Sequence, residues 1–120
     1  MCKARRQATH PQQLIDRKIF CAFENNKLAG TIALQRNLIL GFYVSHSIRG
    51  KGIGTKLLRH LEVYASKNEI KKLFLTSTPS AFQFYQNKGY TAKKEVTLTI
   101  YGIDYLEMEM EKELFIENKK

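Results

Sequence analysis

The sequence predicts an α+β domain in which a largely antiparallel sheet is flanked by helices, and three features carry that reading. Apolar runs bounded by turn residues recur three times in succession in the first half of the chain. A glycine-rich loop then opens a segment whose apolar residues switch to helical spacing. After it come a short apolar strand, a second helix started by proline and two closing strands, so strands and helices are grouped rather than strictly alternating.

Residues 1–17 carry Lys3, Arg5, Arg6 and Arg17, a His-Pro pair and one apolar pair, Leu14 and Ile15, which suits a loose arm ending in a helical turn or two. From Lys18 to Glu24 the run is apolar and aromatic, Asn25-Asn26-Lys27 is a turn cluster, and Leu28 to Leu34 is again strand-like, which predicts a β-hairpin. Leu38 to Val44 follows Gln35-Arg36-Asn37 as a third antiparallel strand. Ile53, Leu57, Leu58, Leu61, Tyr64 and Ala65 then line one face of an amphipathic helix of about four turns. Lys56, Arg59, Glu62 and Lys67 occupy the other face, which puts Glu62 on the exposed side.

Lys72 to Thr76 reads as a short buried strand. Pro79 suits the first position of a helix running to about Asn87, and Gly89 is placed to end it. Val96 to Ile100 and Tyr105 to Met110 are the last two strands, the second alternating Leu-Glu-Met-Glu-Met with its glutamates facing water.

A chain of 120 residues has room for one hydrophobic core, so residues 1–120 are expected to form a single domain, with 1–17 as a short arm and 18–114 as the core. A composition 43% hydrophobic and 26% charged is too apolar for disorder and too interrupted by charge for a membrane span. The net charge of +9 is uneven: residues 1–103 hold 17 basic and 5 acidic side chains, whereas residues 104–120 hold 3 and 6. A body so basic implies an anionic partner: nucleic acid, an acidic membrane surface or a phosphate-bearing small molecule. Cys2 and Cys21 are too few for a disulfide scaffold and lack metal-ligand spacing, and no signal peptide opens the chain, so a cytoplasmic protein without a metal is expected.

Arg49-Gly50-Lys51-Gly52-Ile53-Gly54 lies between a strand and a long helix, where backbone N–H groups at the positive end of a helix dipole form an anion site. It is not a P-loop, because Gly54 is followed by Thr55 and only then Lys56. It is not a dinucleotide fingerprint either, since the third glycine comes one residue early and the next strand ends at Thr76 without an acid.

The Arg-Gly-Lys-Gly-Ile-Gly run before an amphipathic helix resembles the acyl-CoA-binding signature of the GNAT superfamily of N-acyltransferases. Ala81-Phe82-Gln83-Phe84-Tyr85-Gln86-Asn87-Lys88-Gly89-Tyr90 is similar to that family's A-x-x-F-Y-x-x-x-G-[FY] helix, and the two stand in the family's order. The resemblance covers roughly residues 19–114. It implies a GNAT-like fold, with a central mixed, mostly antiparallel sheet flanked by helices, and an acetyl-CoA-dependent N-acetyltransferase acting on a small-molecule or peptide amine. It further implies that the N–H groups of Gly50, Gly52, Gly54 and Thr55, around Ile53, hold the pyrophosphate of coenzyme A, with Arg49 and Lys51 adding charge. Phe42, Tyr43 and Val44 would pair their backbone with the pantetheine arm, in a gap where this strand splays from Lys72 to Thr76. Tyr85 matches the tyrosine that protonates the departing thiolate.

The sequence departs from the family at three places. Many relatives place a carboxylate base in the strand before the glycine loop, where Leu38, Ile39, Leu40 and Gly41 stand here, leaving Glu24 and His46 as the remaining candidates. Thr78 replaces the asparagine that many relatives have before the second helix. Only 17 residues precede the hairpin, where relatives usually have a strand and two helices. Either the front is truncated or a second copy or another chain covers the open sheet edge, a homodimer being one such arrangement. Two further readings stand beside the enzyme. One is a coenzyme A-binding regulatory or interaction protein without acceptor turnover; the other is an acetyltransferase for an RNA-linked amine, motivated by the basic body although no RNA-binding motif is present.

Overall fold

The computed structural model describes residues 17–46 and 52–115. The three apolar runs form a meander of β1 (Arg17–Glu24), β2 (Lys27–Gln35) and β3 (Leu38–Val44). Glu24 pairs with Lys27 across Asn25 and Asn26, whose φ angles of 54° and 68° are both left-handed. That is the two-residue type I′ loop whose twist matches the strands it joins, and asparagine tolerates it. After the glycine loop come α1 (Ile53–Lys67), β4 (Lys72–Ser77), a 3₁₀ turn (Pro79–Ala81), α2 (Phe82–Asn87), β5 (Thr91–Ile100) and β6 (Ile103–Glu113). The strands make one six-stranded sheet in the order β1-β2-β3-β4-β6-β5. Every neighbouring pair is antiparallel except β3 and β4, which α1 joins as a parallel crossover. The mixed, mostly antiparallel sheet that the sequence resemblance implied is therefore the one observed.

One face of α1 supplies the centre of the core. Leu57, Leu58, Leu61 and Ala65 are buried at the spacings that make a single stripe, against Phe20 of β1, Ile32 and Leu34 of β2, Ile39 of β3 and Leu73 and Leu75 of β4. Each fully buried leucine of this set contributes roughly 1.5–3 kcal/mol relative to exposure, so α1 is held by packing rather than by propensity.

Three details differ from the sequence reading. The second helix divides: Pro79 starts a 3₁₀ turn, and α-helical bonding begins only at Phe82. The last two strands are longer than their apolar patterns. Thr91 to Glu95 belong to β5, but as part of an edge strand they are exposed and so carry no apolar alternation. Their lysines answer the acidic β6, Lys93 lying 3.5 Å from Glu111 and Lys94 3.9 Å from Glu109. The β6 glutamates are for that reason not simply solvent-facing. Glu111 is half-buried, with Lys72 of β4 on its other side at 3.6 Å.

α1 ends in a Schellman motif. The Ile70 N–H donates to Ala65 O at 2.9 Å and the Glu69 N–H to Ser66 O at 3.1 Å, with Glu69 at a left-handed φ of 65°. A side chain at that φ is strained where glycine is not. Glu69→Gly should therefore stabilise the fold by about 1 kcal/mol, read as a higher urea midpoint at unchanged slope. A lower midpoint would mean that the exposed Glu69 side chain contributes more than its backbone costs.

Candidate active site

The site begins where the two parallel strands separate. Leu38 faces Phe74, and the Phe74 N–H donates to Asn37 O at 2.9 Å; beyond Leu38 no residue of β3 pairs with β4. The cause lies on the other edge of β3. Thr31 faces Tyr43 and Ala33 faces Leu40, so Gly41 and Phe42 together oppose the single residue Ile32. This is a β-bulge, and Gly41 sits in it at a φ of 62°, with its carbonyl accepting from Thr31 Oγ1 at 2.9 Å. A bulge of this kind bends its strand and leaves the partner strand behind. Of Leu38 to Gly41, Gly41 thus serves backbone geometry and Ile39 the core, and none of the four is an acid.

The start of α1 is seated at the mouth of this gap. The first intrahelical bond runs from the Lys56 N–H to Gly52 O at 3.0 Å, so the N–H groups of Ile53, Gly54 and Thr55 precede the helical ladder. Among the described residues no side chain caps them, and no acidic residue stands in the first turn. Gly54 faces β3: a Cβ there would be in ordinary contact with Val44 Cγ2 at 3.4 Å and Phe42 Cζ at 3.6 Å. Phe42 and Val44 thus lie beside Gly54, with Gly52, Ile53 and Thr55 adjoining it in the same helix start and Tyr43 half exposed between its neighbours. Arg49, Gly50 and Lys51 lie outside the described residues.

Tyr85 packs close to the outer half of β3. Its ring lies 6.1 Å from that of Phe42 on β3, 5.3 Å from Phe84 and 5.9 Å from Tyr90. Burial in this cluster pushes its phenol up to about 12, because an apolar surround disfavours the phenolate. Tyr85 therefore holds its proton throughout the neutral range.

The corner behind Tyr85 contains what sequence reasoning missed. α2 has six residues, too few to persist alone, and ends in a second Schellman motif. The Tyr90 N–H donates to Tyr85 O at 3.0 Å and the Gly89 N–H to Gln86 O at 3.1 Å. Gly89 has a φ of 98°, and a Cβ there would stand 3.2 Å from Lys112 Cε, so glycine both closes the helix and lets the Lys112 stem cross it. Lys112 Nζ donates to Lys88 O at 2.8 Å and to both carboxylate oxygens of Glu62 at 3.1 and 3.2 Å. Glu62 Oε2 also accepts from the Tyr90 hydroxyl at 2.8 Å. Glu62 is thus not on the exposed side of its helix; its side chain is 17% exposed and its carboxylate is engaged by two partners. Only its spacing with Leu58 and Ala65 could have signalled that it borders the buried stripe.

The remaining candidates stand apart. Glu24 is half-buried at the end of β1, which β2 separates from β3, and His46 is exposed just after β3. Thr78 precedes the 3₁₀ turn without capping it, its hydroxyl 3.3 Å from that of Ser80. Among the described residues no three His, Cys, Asp or Glu side chains converge to hold a metal ion.

The tyrosine pair sets a stability change with pH. Burial raises Tyr85, and burial followed by the Glu62 charge and hydrogen bond raises Tyr90 further. Above a pH of about 10 the unfolded chain releases these protons while the folded chain keeps them, so stability present below pH 10 should fall as pH climbs towards 12. Urea titrations at pH 9 and 11.5 measure the loss, and Tyr85→Phe should reduce it. An equal loss in that variant would place the effect elsewhere.

Comparison with known proteins agrees with this architecture. The sequence pattern of the GNAT acetyltransferase domain matches residues 4–112. A GCN5-related N-acetyltransferase from Rhodopseudomonas palustris superposes with a TM-score of 0.79 at 26% identity; the match covers 87% of this chain and 66% of that one, so this chain spans just under two thirds of that relative. A GNAT family acetyltransferase from Elizabethkingia anophelis, solved with acetyl-CoA bound, gives 0.70 at 20% identity over 87% of this chain and 80% of its own. An aminoglycoside 6′-N-acetyltransferase in complex with coenzyme A gives 0.75 at 16% over 91% and 79%. These last two show likeness of fold. No curated protein matches the chain significantly. With the pattern matched across most of its length and a sheet that parts between its two parallel strands, the chain belongs to the GNAT acetyltransferase domain family.

Proposed function

We propose that this protein transfers the acetyl group of acetyl-CoA to a primary amine. The observation that carries the reading is that β3 parts from β4 after Leu38 beside the start of α1, with the buried ring of Tyr85 packed near Phe42 of the same strand. In this reading the N–H groups of Gly52, Ile53, Gly54 and Thr55 take the pyrophosphate, joined by Gly50 and by the charges of Arg49 and Lys51. The free edge of Phe42, Tyr43 and Val44 receives the pantetheine amides as a strand would. The thioester then lies between β3 and β4, under Tyr85.

The amine nitrogen attacks the thioester carbonyl carbon, the carbon–sulfur bond breaks, and the sulfur takes the Tyr85 proton; the proton shed by the amine returns the phenolate to phenol by way of solvent. With the phenol near 12 and a thiol near about 8.5, transfer to a fully formed thiolate is uphill. The proton therefore moves as the bond breaks. Tyr85→Phe should lower kcat by about 10²- to 10⁴-fold and leave acetyl-CoA affinity nearly unchanged. Full activity in that variant would make Tyr85 a packing residue. Gly52→Asp, which sets a carboxylate at the helix start, should abolish acetyl-CoA binding by calorimetry; unchanged affinity would overturn the pyrophosphate assignment.

The absence of an acid from Leu38 to Gly41, together with the engagement of Glu62 by Tyr90 and Lys112, bears on the acceptor. An amine that loses its own proton must serve. At pH 7 an amine of pKa about 10.4 is neutral roughly four times in ten thousand, and an α-amino group near 7.8 roughly one time in seven. An α-amino acceptor should therefore exceed a matched lysine side chain in kcat/KM at pH 7. Preference for lysine would reveal a base, with Glu24 and His46 the first to substitute. The same lack of an acid supports a second reading, a coenzyme A-binding protein without turnover, for which a panel of amines would give binding but no product.

A further inference from the structure

Tyr85 is held by contacts that the transfer reaction itself does not use, and one of them is polar. Its ring meets Tyr90 edge to face at 5.9 Å and an interplanar angle of 71°, and its carbonyl accepts from the Tyr90 N–H. Tyr90 is 1% exposed. Its hydroxyl lies on the long axis of the ring and is tied at 2.8 Å to Glu62 on α1, which fixes the direction of that axis. Glu62 is tied in turn to Lys112 on β6, and Lys112 donates to Lys88 O at the end of α2 and lies 5.4 Å from the Tyr90 ring centre. Every partner in this chain is a different element: α1, β6, the end of α2 and the start of β5.

An apolar residue at each position would fill the corner and fix no direction. A carboxylate that accepts from both a phenol and an ammonium fixes the distance and the angle between three elements at once. The charges are matched, one carboxylate against one ammonium, and the lysine adds a cation at the C-terminus of α2, where it is favourable.

We propose that Glu62, Tyr90 and Lys112 are positioning residues that set the Tyr85 hydroxyl in the gap between β3 and β4. The proposal rests on the reading of Tyr85 as the acid in acetyl transfer. Glu62 and Lys112 fix the Tyr90 ring, the Tyr90 ring fixes the Tyr85 ring, and none of the three touches the reacting atoms. The cluster sits behind the aromatic wall, away from the α1 N-terminus where the pyrophosphate is placed, so cosubstrate affinity does not depend on it.

The test is a double-mutant cycle on the full chain, with kcat from amine acetylation and affinity from acetyl-CoA calorimetry. Tyr90→Phe removes one oxygen and keeps the ring. It should lower kcat about 10-fold, a loss of the size that slight misplacement of a catalytic group produces, with acetyl-CoA affinity unchanged. In a Tyr85→Phe background the same substitution should change kcat no further, because there is no hydroxyl left to aim. Glu62→Ala should behave like Tyr90→Phe, and Glu62→Gln, which keeps an acceptor for the phenol, should restore most of the activity; this pair decides the matter if Tyr90→Phe does not fold. Equal losses in both backgrounds, no loss in the Tyr85 background's parent, or equal activities of Glu62→Ala and Glu62→Gln would overturn the inference while leaving Tyr85 as the acid. Absence of turnover on any amine, or full activity of Tyr85→Phe, would remove the reading beneath it and the inference together.

Discussion

Everything distinctive in this fold follows from one constraint, that two parallel strands share a sheet and yet meet at a single residue pair, Leu38 and Phe74. Parallel strands need a crossover, and α1 is that crossover. The bulge at Gly41 then turns β3 outward, so the crossover helix starts beside a strand edge that has lost its partner. An unpaired edge inside a sheet is costly unless something lies against it. Phe42, Phe84 and Tyr85 form an aromatic cluster against the outer half of β3, and Phe42 and Phe84 also border Gly54 at the helix start.

The second half of the molecule supports that gap from behind. α2 has only six residues, so its place is set by what surrounds it: a Schellman turn at its end, the Lys112 ammonium on the Lys88 carbonyl just past it, and the aromatic contact from Tyr90 to Tyr85. Gly89 joins two of these. Its left-handed φ closes the turn, and its missing side chain clears the path of Lys112. The Phe-Tyr and Gly-Tyr pairs of this segment are therefore parts of one device, in which the first tyrosine faces the gap and the second locks it.

Much of this was legible in the residues. The stripe of Leu57, Leu58, Leu61 and Ala65 is strong enough to predict α1 as a helix of about four turns, since it is a regular period broken by no glycine or proline within the helix interior beyond Gly54. Asn25-Asn26 marks its turn because few other residues accept that backbone. The front half of β5 was not legible, because an edge strand with both faces exposed has no apolar alternation, and its lysines are explained only by the glutamates of a strand that comes later in the chain. Glu62 was missed for a related reason. A glutamate beside an apolar stripe reads as surface until the positions of Tyr90 and Lys112 are known, and those come from loops and pairings that no local pattern encodes.

The single pairing between β3 and β4 also divides the molecule by sequence distance. β1, β2 and β3 are joined by two-residue loops, and β5 and β6 by another at Tyr101-Gly102, so each group can form from near neighbours in the chain. Such local hairpins close within microseconds. β4 must instead find β6 across α2 and β5, and it meets the meander only at one corner and through α1. The gap is then the place where pairings near in sequence give way to pairings far apart in it, and the single core under α1 is what carries the sheet across. A molecule lying along the parted edges would supply there the pairing that a missing strand would.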